Sequence, residues 1–422
     1  MTGTADVVVI GGGIAGCATA YHLSRRGVRV VLCDRREIGA EQSGRNWGFV
    51  QQQGRSWTEV PLMVESNKMW RTLERDLGAD LDWVQGGHLI PAADATRLAA
   101  LRQWLEVVPR VGLDTRLLSG EEVADLIPSM AGRFVGGLYT ASDGHVDPVK
   151  TTAAFCRASI AHGASVLTDC PVESITASAG TITGVTTSRG KIRTTRVVCA
   201  AGGWSAGLLR PLGLDLPRRL VRATVARTTP GPAVTPVAVW GPTLAFRQRS
   251  DGRFDLGAQG MDYDITLEWF RHPRGWLRKY LRERKDAGVH IGAPLFRDLM
   301  ALAPWSRARR RPFAYDPKAE PRPNPSRASR SLGELHRLFP MLNGLTLERS
   351  WAGYMDATPD SLPVLGDAPR PRGLVLATGF SGHGFSLGPI VGRLMAELIV
   401  DRRASLDLHA FRFSRFEGMG GR

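Results

Sequence analysis

Only five cysteines occur in 422 residues, and Cys17, Cys33, Cys156, Cys170 and Cys199 make no CxxC, no CxxH and no evenly paired framework. Neither a disulfide scaffold nor a cysteine-held zinc or iron–sulfur centre is expected, and a reducing, cytoplasmic compartment fits. Long apolar runs are missing too: no stretch reaches the roughly eighteen uninterrupted apolar residues of a membrane span. The N-terminus lacks a basic segment followed by an apolar one, because Asp6 to Ile10 already reads as a strand, so no cleaved leader is expected. Acidic residues are in deficit: 40 against 55 Lys and Arg leave a net charge of +15. That deficit is local. Between Arg271 and Arg330 stand 16 Lys/Arg and 5 Asp/Glu, so +11 of the +15 lies there. Such a segment can attract nucleic acid, an anionic membrane surface or an acidic partner, or can be no more than a solvated face. No Ser-His-Asp arrangement and no metal-ligand cluster stands out.

What is present is an ordinary globular composition, 43% hydrophobic, at a length that suits two closely packed domains. The apolar run "ADVVVI" reads as a parallel strand buried on both faces. Gly11, Gly13 and Gly16 follow in the order G-x-G-x-x-G, then a helix starting at Ile14 and Ala15 and closed by Gly27, then the strand "VRVVLCD" ending in Asp34. Strand, glycine loop, helix, strand and acid in this order form the context of a dinucleotide site. The first glycine makes the turn, the second admits a pyrophosphate, the third lets helix pack on strand, and the helix N-terminus faces the phosphates. Asp34 is placed to accept a ribose hydroxyl and to repel a 2′-phosphate, although Arg35 and Arg36 follow it directly.

Two later stretches repeat the plan. A strand from Arg196 to Ala200 runs into Ala201, Gly202, Gly203 and Trp204. Near the end, the strand Leu374 to Ala377 runs into "TGFSGHGFSLGP" and an amphipathic helix, whose N-terminus suits a site of developing negative charge. "REIGAEQSGRNWGF" (Arg36 to Phe49) has neither helix nor strand period and reads as a loop lying over a ligand or on the surface.

Taken in order, "VVVIGGGIAGCATAYHLSRRG", "IGAEQSGRNWGF", "DGHVDPVKTTAAFCRASIAHGASV", "RVVCAAGGWS", "RSWAGYMDATPDSLPVLG" and "TGFSGHGFSLGP" resemble the FAD-dependent oxidoreductases of the D-amino-acid oxidase family. That group includes sarcosine and glycine oxidases, D-amino-acid dehydrogenases and the flavin subunits of opine and proline dehydrogenases. The resemblance implies an α/β fold. A discontinuous Rossmann-like FAD domain (1–80, 140–215 and 350–422) would join an α+β substrate domain with a mainly antiparallel sheet (81–139 and 216–349, with the basic segment at 266–330). It implies that Gly11, Gly13, Ile14, Ala15, Gly16, Asp34 and Arg35 hold the ADP half of FAD. Ser43, Gly44, Arg45 and Asn46 would lie along the pyrophosphate and ring, and Val172 would touch adenine through its backbone. Ala201, Gly202 and Trp204 would form a second nucleotide wall. Gly379, Gly382, His383, Gly384 and Phe385 would reach the flavin ring. The reaction implied is oxidation of the C–N bond of an amino acid or secondary amine. The chain could equally be one subunit of an amine or opine dehydrogenase, and its basic segment leaves an RNA-directed flavoenzyme open.

Departures from the family pattern also bear on function. The segment "WAGYMDATPDSLP", where some members attach flavin through a cysteine, has none, so FAD is expected to be non-covalent. Trp47 stands where relatives carry a small residue and either narrows the pocket or fills a core gap. Sarcosine-oxidase-like members supply carboxylate-binding arginines from the segment that here reads Val50-Gln51-Gln52-Gln53, with Arg55 beyond. Glutamine cannot fork a carboxylate as Arg does. Gln51, Tyr354, Arg247 in mid-strand and Arg349 before Trp351 are the substrate-side candidates. His145 reads as part of a turn ahead of the helix that Asp147 caps and Pro148 opens. "SGEEVADLIP" carries a capping box. "DPKAEPRPNPSRASR" reads as a mobile surface loop.

Overall fold

The computed structural model describes residues 3–107, 112–273, 276, 287–303, 305–306 and 320–417. Its first sheet has six strands in the order Val364–Asp367, Leu374–Thr378, Val197–Cys199, Val7–Ile10, Val30–Cys33, Ser165–Leu167. All pairings are parallel except the antiparallel edge strand Val364–Asp367. Every residue of Val7–Ile10 is buried, as a parallel strand covered on both faces requires. Helices Ile14–Ser24, Pro148–Ala161 and Gly384–Val400 cover one face. An antiparallel meander, Val172–Ser178, Thr181–Thr187 and Gly190–Arg193, covers the other through Ile175, Ile182, Val185 and Ile192.

The helices that follow the two glycine loops pack directly on each other. A Cβ on Gly392 would stand 2.5 Å from the Ala18 carbonyl carbon, so only glycine permits this approach. The two loops are thereby held at a fixed separation by a rigid helix pair.

The second sheet has ten strands. Its path runs Ala287–His290, Met261–Asp264, Arg219–Thr228, Phe254–Ala258, Leu244–Gln248, Ala238–Trp240, His88–Ala92, Gly136–Thr140, Thr115–Ser119. Leu347–Ala357 pairs antiparallel along the length of Arg219–Thr228. Two pairings are parallel and the rest antiparallel. The helix Pro325–Leu338 lays Leu335 and Leu338 against Phe246, Phe254 and Leu256. Ser119 and Glu122 form the expected capping box of Gly120–Leu126.

Four sequence expectations need correction. Arg36 to Phe49 is not wholly irregular: Gln42–Arg45 is one helical turn, and Phe49–Val50 pairs with Gly144–His145. His145 therefore lies in a short buried strand and not in a turn. "WVQGGHLIPA" reads in the sequence as a strand pair, but only His88–Ala92 is a strand, with Val84 making an isolated bridge to His145. From Asn324 onward the expected mobile loop is helix. The Asn324 side chain accepts from the backbone N–H groups of Ser326 and Arg327, and Pro325 occupies the first turn. The earlier part of that loop, 316–319, lies outside the described residues, as do 274–275 and 277–285 of "LEWFRHPRGWLRKYLRERK", which reads in the sequence as partly helical.

Candidate active site

A single cleft runs from the carboxyl ends of the parallel strands to the face of the ten-stranded sheet. At its first end the glycine loop is built so that nothing larger fits. Gly11 has φ +109°, and a Cβ there would stand 2.3 Å from the Ala200 carbonyl oxygen. On Gly16 a Cβ would meet the Gly11 carbonyl oxygen at 1.9 Å. Such a bare backbone cradle beside a helix N-terminus fits a pyrophosphate. Ser43 reaches across to accept the Ile14 N–H at 2.9 Å, which ties the crossing turn Gln42–Arg45 to the cradle.

Asp34 lines the cleft, and its two oxygens accept the Gly12 N–H at 2.5 Å and the Arg36 N–H at 2.7 Å. Burial lifts its pKa to about 6, against those two hydrogen bonds. A carboxylate has capacity for further hydrogen bonds beyond these two, and on the cleft lining a ribose hydroxyl could donate one. Arg35 lies 3.6 Å over the Trp204 ring and pairs with Glu41 at 2.5 Å, making a wall beside Ala201 and Gly202. Val172 lines the same end.

Arg45 is held by Ala40 O, Ala352 O and Glu320, and Asn46 donates to Ser43 O while accepting from Gly48 N at 2.7 Å each. Arg36 also pairs with Glu320. These partners leave Arg45 as a clamp between the turn and the large sheet. Gly44 and Gly379 lie behind the wall and shape it: a Cβ on Gly44 would stand 2.3 Å from Gly39 O, and Gly379 (φ +69°) gives its N–H to Asp356 at 2.8 Å.

At the far end, Gly382, His383, Gly384 and Phe385 start the helix Gly384–Val400 and line the cleft. His383 directs Nδ1 to Glu59 at 3.1 Å, so its side chain anchors the loop to helix Val60–Trp70. Opposite stand Trp47, Phe49, Gln51, Arg55 and Trp240. The Trp47 indole lies over Gly257, where a Cβ would meet its Cζ2 at 2.1 Å, and it meets Trp240 edge-on at 5.8 Å. Trp47 thus does both jobs open to it, packing against the sheet and walling the cleft.

Three buried polar atoms on this wall have no hydrogen-bond partner among the described residues: Trp47 Nε1, Gln51 Oε1 and Arg55 Nε. No carboxylate stands within ion-pair distance of Arg55 among the described residues. Its guanidinium has the Trp240 ring at 5.9 Å, and burial lowers its pKa to about 10, which still leaves it charged at neutral pH. The expected carboxylate clamps lie elsewhere. Arg247 is buried away from the cleft and paired with Asp255 at 2.9 Å, while Arg349 is exposed and stacked on Trp351 at 4.8 Å. Tyr354 does line the cleft, with its hydroxyl bonded to Asp264 at 2.9 Å. Arg55 was underweighted in the sequence because its glutamine-rich neighbours hid the fact that the chain folds back and buries it.

A cleft with a glycine cradle at one end and a glycine-started helix at the other defines a protein that binds an extended dinucleotide. The chain belongs to the FAD dependent oxidoreductase (DAO) family, whose model it matches over residues 6–398. Mitochondrial sarcosine dehydrogenase of Homo sapiens is 29% identical over 427 residues, covering 98% of this chain and 41% of that protein. The chain therefore spans about two fifths of the length of that relative. Peroxisomal sarcosine oxidase of Homo sapiens is 26% identical, over 98% of this chain and 97% of that protein. The solved L-amino acid deaminase from Proteus myxofaciens superposes with a TM-score of 0.91 at 25% identity, covering 99% and 94% of the two chains. FAD is the family's cofactor, and its members are amino-acid or amine oxidases and dehydrogenases.

Proposed function

We propose that this chain oxidises the C–N bond of an amino acid or secondary amine that bears a carboxylate, using non-covalently bound FAD. The observation that carries the carboxylate is Arg55: a buried, charged guanidinium on the cleft wall whose Nε has no hydrogen-bond partner, with Glu59 and Asp143 acting on it from beyond ion-pair distance. A substrate carboxylate would supply the missing partner as a charge-assisted pair. The Gln51 amide oxygen would accept from the substrate amine, and Trp47 would donate its indole N–H. Trp47, Phe49 and Trp240 exclude water from that end of the cleft and hold the α-carbon in place.

FAD supplies the hydride acceptor when bound. The chain's own contribution is orientation and charge: Gly382 to Phe385 bring a helix N-terminus to the end of the cleft where negative charge develops. An amine held neutral needs no dedicated base. The imine product would hydrolyse to a keto acid or aldehyde and an amine. Gly353 bears on attachment, since a Cβ there would already stand 3.1 Å from Arg45 Cβ, leaving scant room for a linking side chain.

The test is anaerobic titration of the purified protein with D- and L-amino acids, N-methyl amino acids and opines, following flavin absorbance. Bleaching by a carboxylate-bearing amine is expected. Replacing Arg55 by Met should raise the half-bleaching concentration about a hundredfold, with bound flavin retained. Failure of every amine to bleach the flavin would overturn the reaction class; an unaltered Arg55→Met variant would overturn the clamp.

A further inference from the structure

The helix Ala293–Ala301 is turned inside out. Phe296, Leu299 and Met300, at helical spacing on one face, are exposed, Phe296 and Met300 at 63% each. Arg297 and Asp298, which a water-facing helix would present outward, are partly buried, and Asp298 accepts the Leu267 N–H at 2.9 Å. Ile291 and Trp305, close to the helix in sequence on either side of it, are also exposed, at 75% and 73%. Soluble proteins rarely leave so much contiguous apolar surface in water without a partner for it.

The charge around this helix selects the partner. It lies within the stretch Arg271 to Arg330, with its excess of eleven positive charges. A second copy of the chain would bring a second such excess against the first. Nucleic acid would reward the arginines but not exposed Ile, Leu and Met side chains. An apolar face carrying Phe, Leu and Trp within a basic segment is the pattern of a helix lying in the interface of an anionic bilayer.

We propose that this surface docks on an anionic lipid membrane, with Phe296, Leu299 and Met300 entering the headgroup boundary and the net positive charge of the sequence segment that carries the helix drawn to lipid charge. Met261–Asp264 pairs with the edge strand Ala287–His290, which leads into the helix, and Met261 also lines the cleft. Docking would thus fix the cleft's large-sheet wall relative to the membrane.

The experiment is sedimentation of the flavin-loaded protein with vesicles of phosphatidylcholine, alone or mixed with phosphatidylglycerol. Binding to the mixed vesicles should exceed binding to phosphatidylcholine by about tenfold or more and weaken at high salt. Replacing Phe296 and Met300 together by Ser should weaken it by about tenfold. Both side chains are exposed, so the flavin spectrum and melting temperature should not move. Absence of binding, equal binding to both vesicle types, or full binding by the serine variant overturns the proposal. So does displacement from vesicles by RNA in excess of that caused by salt alone, or a concentration-dependent dimer that the serine variant abolishes.

Discussion

The carboxylate of Asp356 accepts the backbone N–H of Gly379 at 2.8 Å, although the two residues belong to different sheets' segments. Asp356 ends the long strand Leu347–Ala357 of the ten-stranded sheet; Gly379 opens the second glycine loop. The same carboxylate takes the Gln42 amide at 3.1 Å and the Thr378 hydroxyl at 3.3 Å. One buried acid thus joins the large sheet, the turn over the cofactor cradle and the loop at the cleft's far end. Burial raises its pKa, opposed chiefly by the Gly379 N–H. Replacement by Ala should leave the Gly379 N–H and the Gln42 amide without this acceptor, while Thr378 keeps Gly202 O and Ser205 Oγ, and should let the loop move. FAD affinity, measured by flavin fluorescence on titrating apoprotein, should fall at least tenfold, or about 1.4 kcal/mol. Asn, which keeps one acceptor, should lose less. An Ala variant with parental affinity would show that the loop is held by its helix alone.

Arg247 and Arg55 are both buried arginines of the same half of the molecule, but their surroundings assign them different work. Arg247 shares Asp255 with Arg227, whose Nε lies 2.6 Å from that carboxylate. Changing Arg247 to Met should lower unfolding free energy by about 3 kcal/mol, as expected on breaking a buried pair. The KM of any accepted substrate should stay within twofold of the parent's, a figure of roughly 0.4 kcal/mol or less. Denaturant melts and steady-state kinetics on the Arg247 and Arg55 variants should therefore give opposite patterns. A large rise in KM for the Arg247 variant would return that residue to the substrate site.

Asp143 sets a pH dependence. It is fully buried, accepts from the Gln52 backbone and side chain, and burial lifts its pKa to about 7. Because the folded value lies above the unfolded one, its contribution to stability is complete below about pH 4 and is lost as pH rises to about 7. Replacing it by Asn removes the charge that must otherwise be buried. The melting temperature of Asp143→Asn relative to the parent should therefore climb across that window and level off above it. A constant difference from pH 4 to 8 would mean that the group stays ionised throughout.

Much of the fold was legible because its elements obey local rules. Val7–Ile10, Val30–Cys33 and Leu374–Thr378 are uninterrupted apolar runs ended by glycine or acid, and the Ser119 cap is spelled out in four residues. The cleft's glycine cradle was legible for the same reason, since its spacing encodes a close backbone approach. What could not be read was anything set by distant packing. Arg247 and Arg55 look alike in the sequence, and only the arrival of Asp255 beside one of them distinguishes a structural ion pair from an open cation. The helix at Pro325 was legible in principle, since Asn-Pro is a cap followed by a first-turn residue, but the prolines before it masked the signal.

The order of strands in the six-stranded sheet has a consequence for how the protein is made. Val197–Cys199 sits between Val7–Ile10 and Leu374–Thr378, two strands that lie far apart in the sequence. Strand pairings so distant in sequence are slow to form. The glycine loop at Gly11 is therefore translated long before the wall that faces it exists, and FAD can be gripped at both ends only once the loop after Leu374–Thr378 has been made. Cofactor uptake in this architecture is a late, chain-wide event, and a nascent chain halted before Leu374 should be a poor ligand for the flavin it is built to carry.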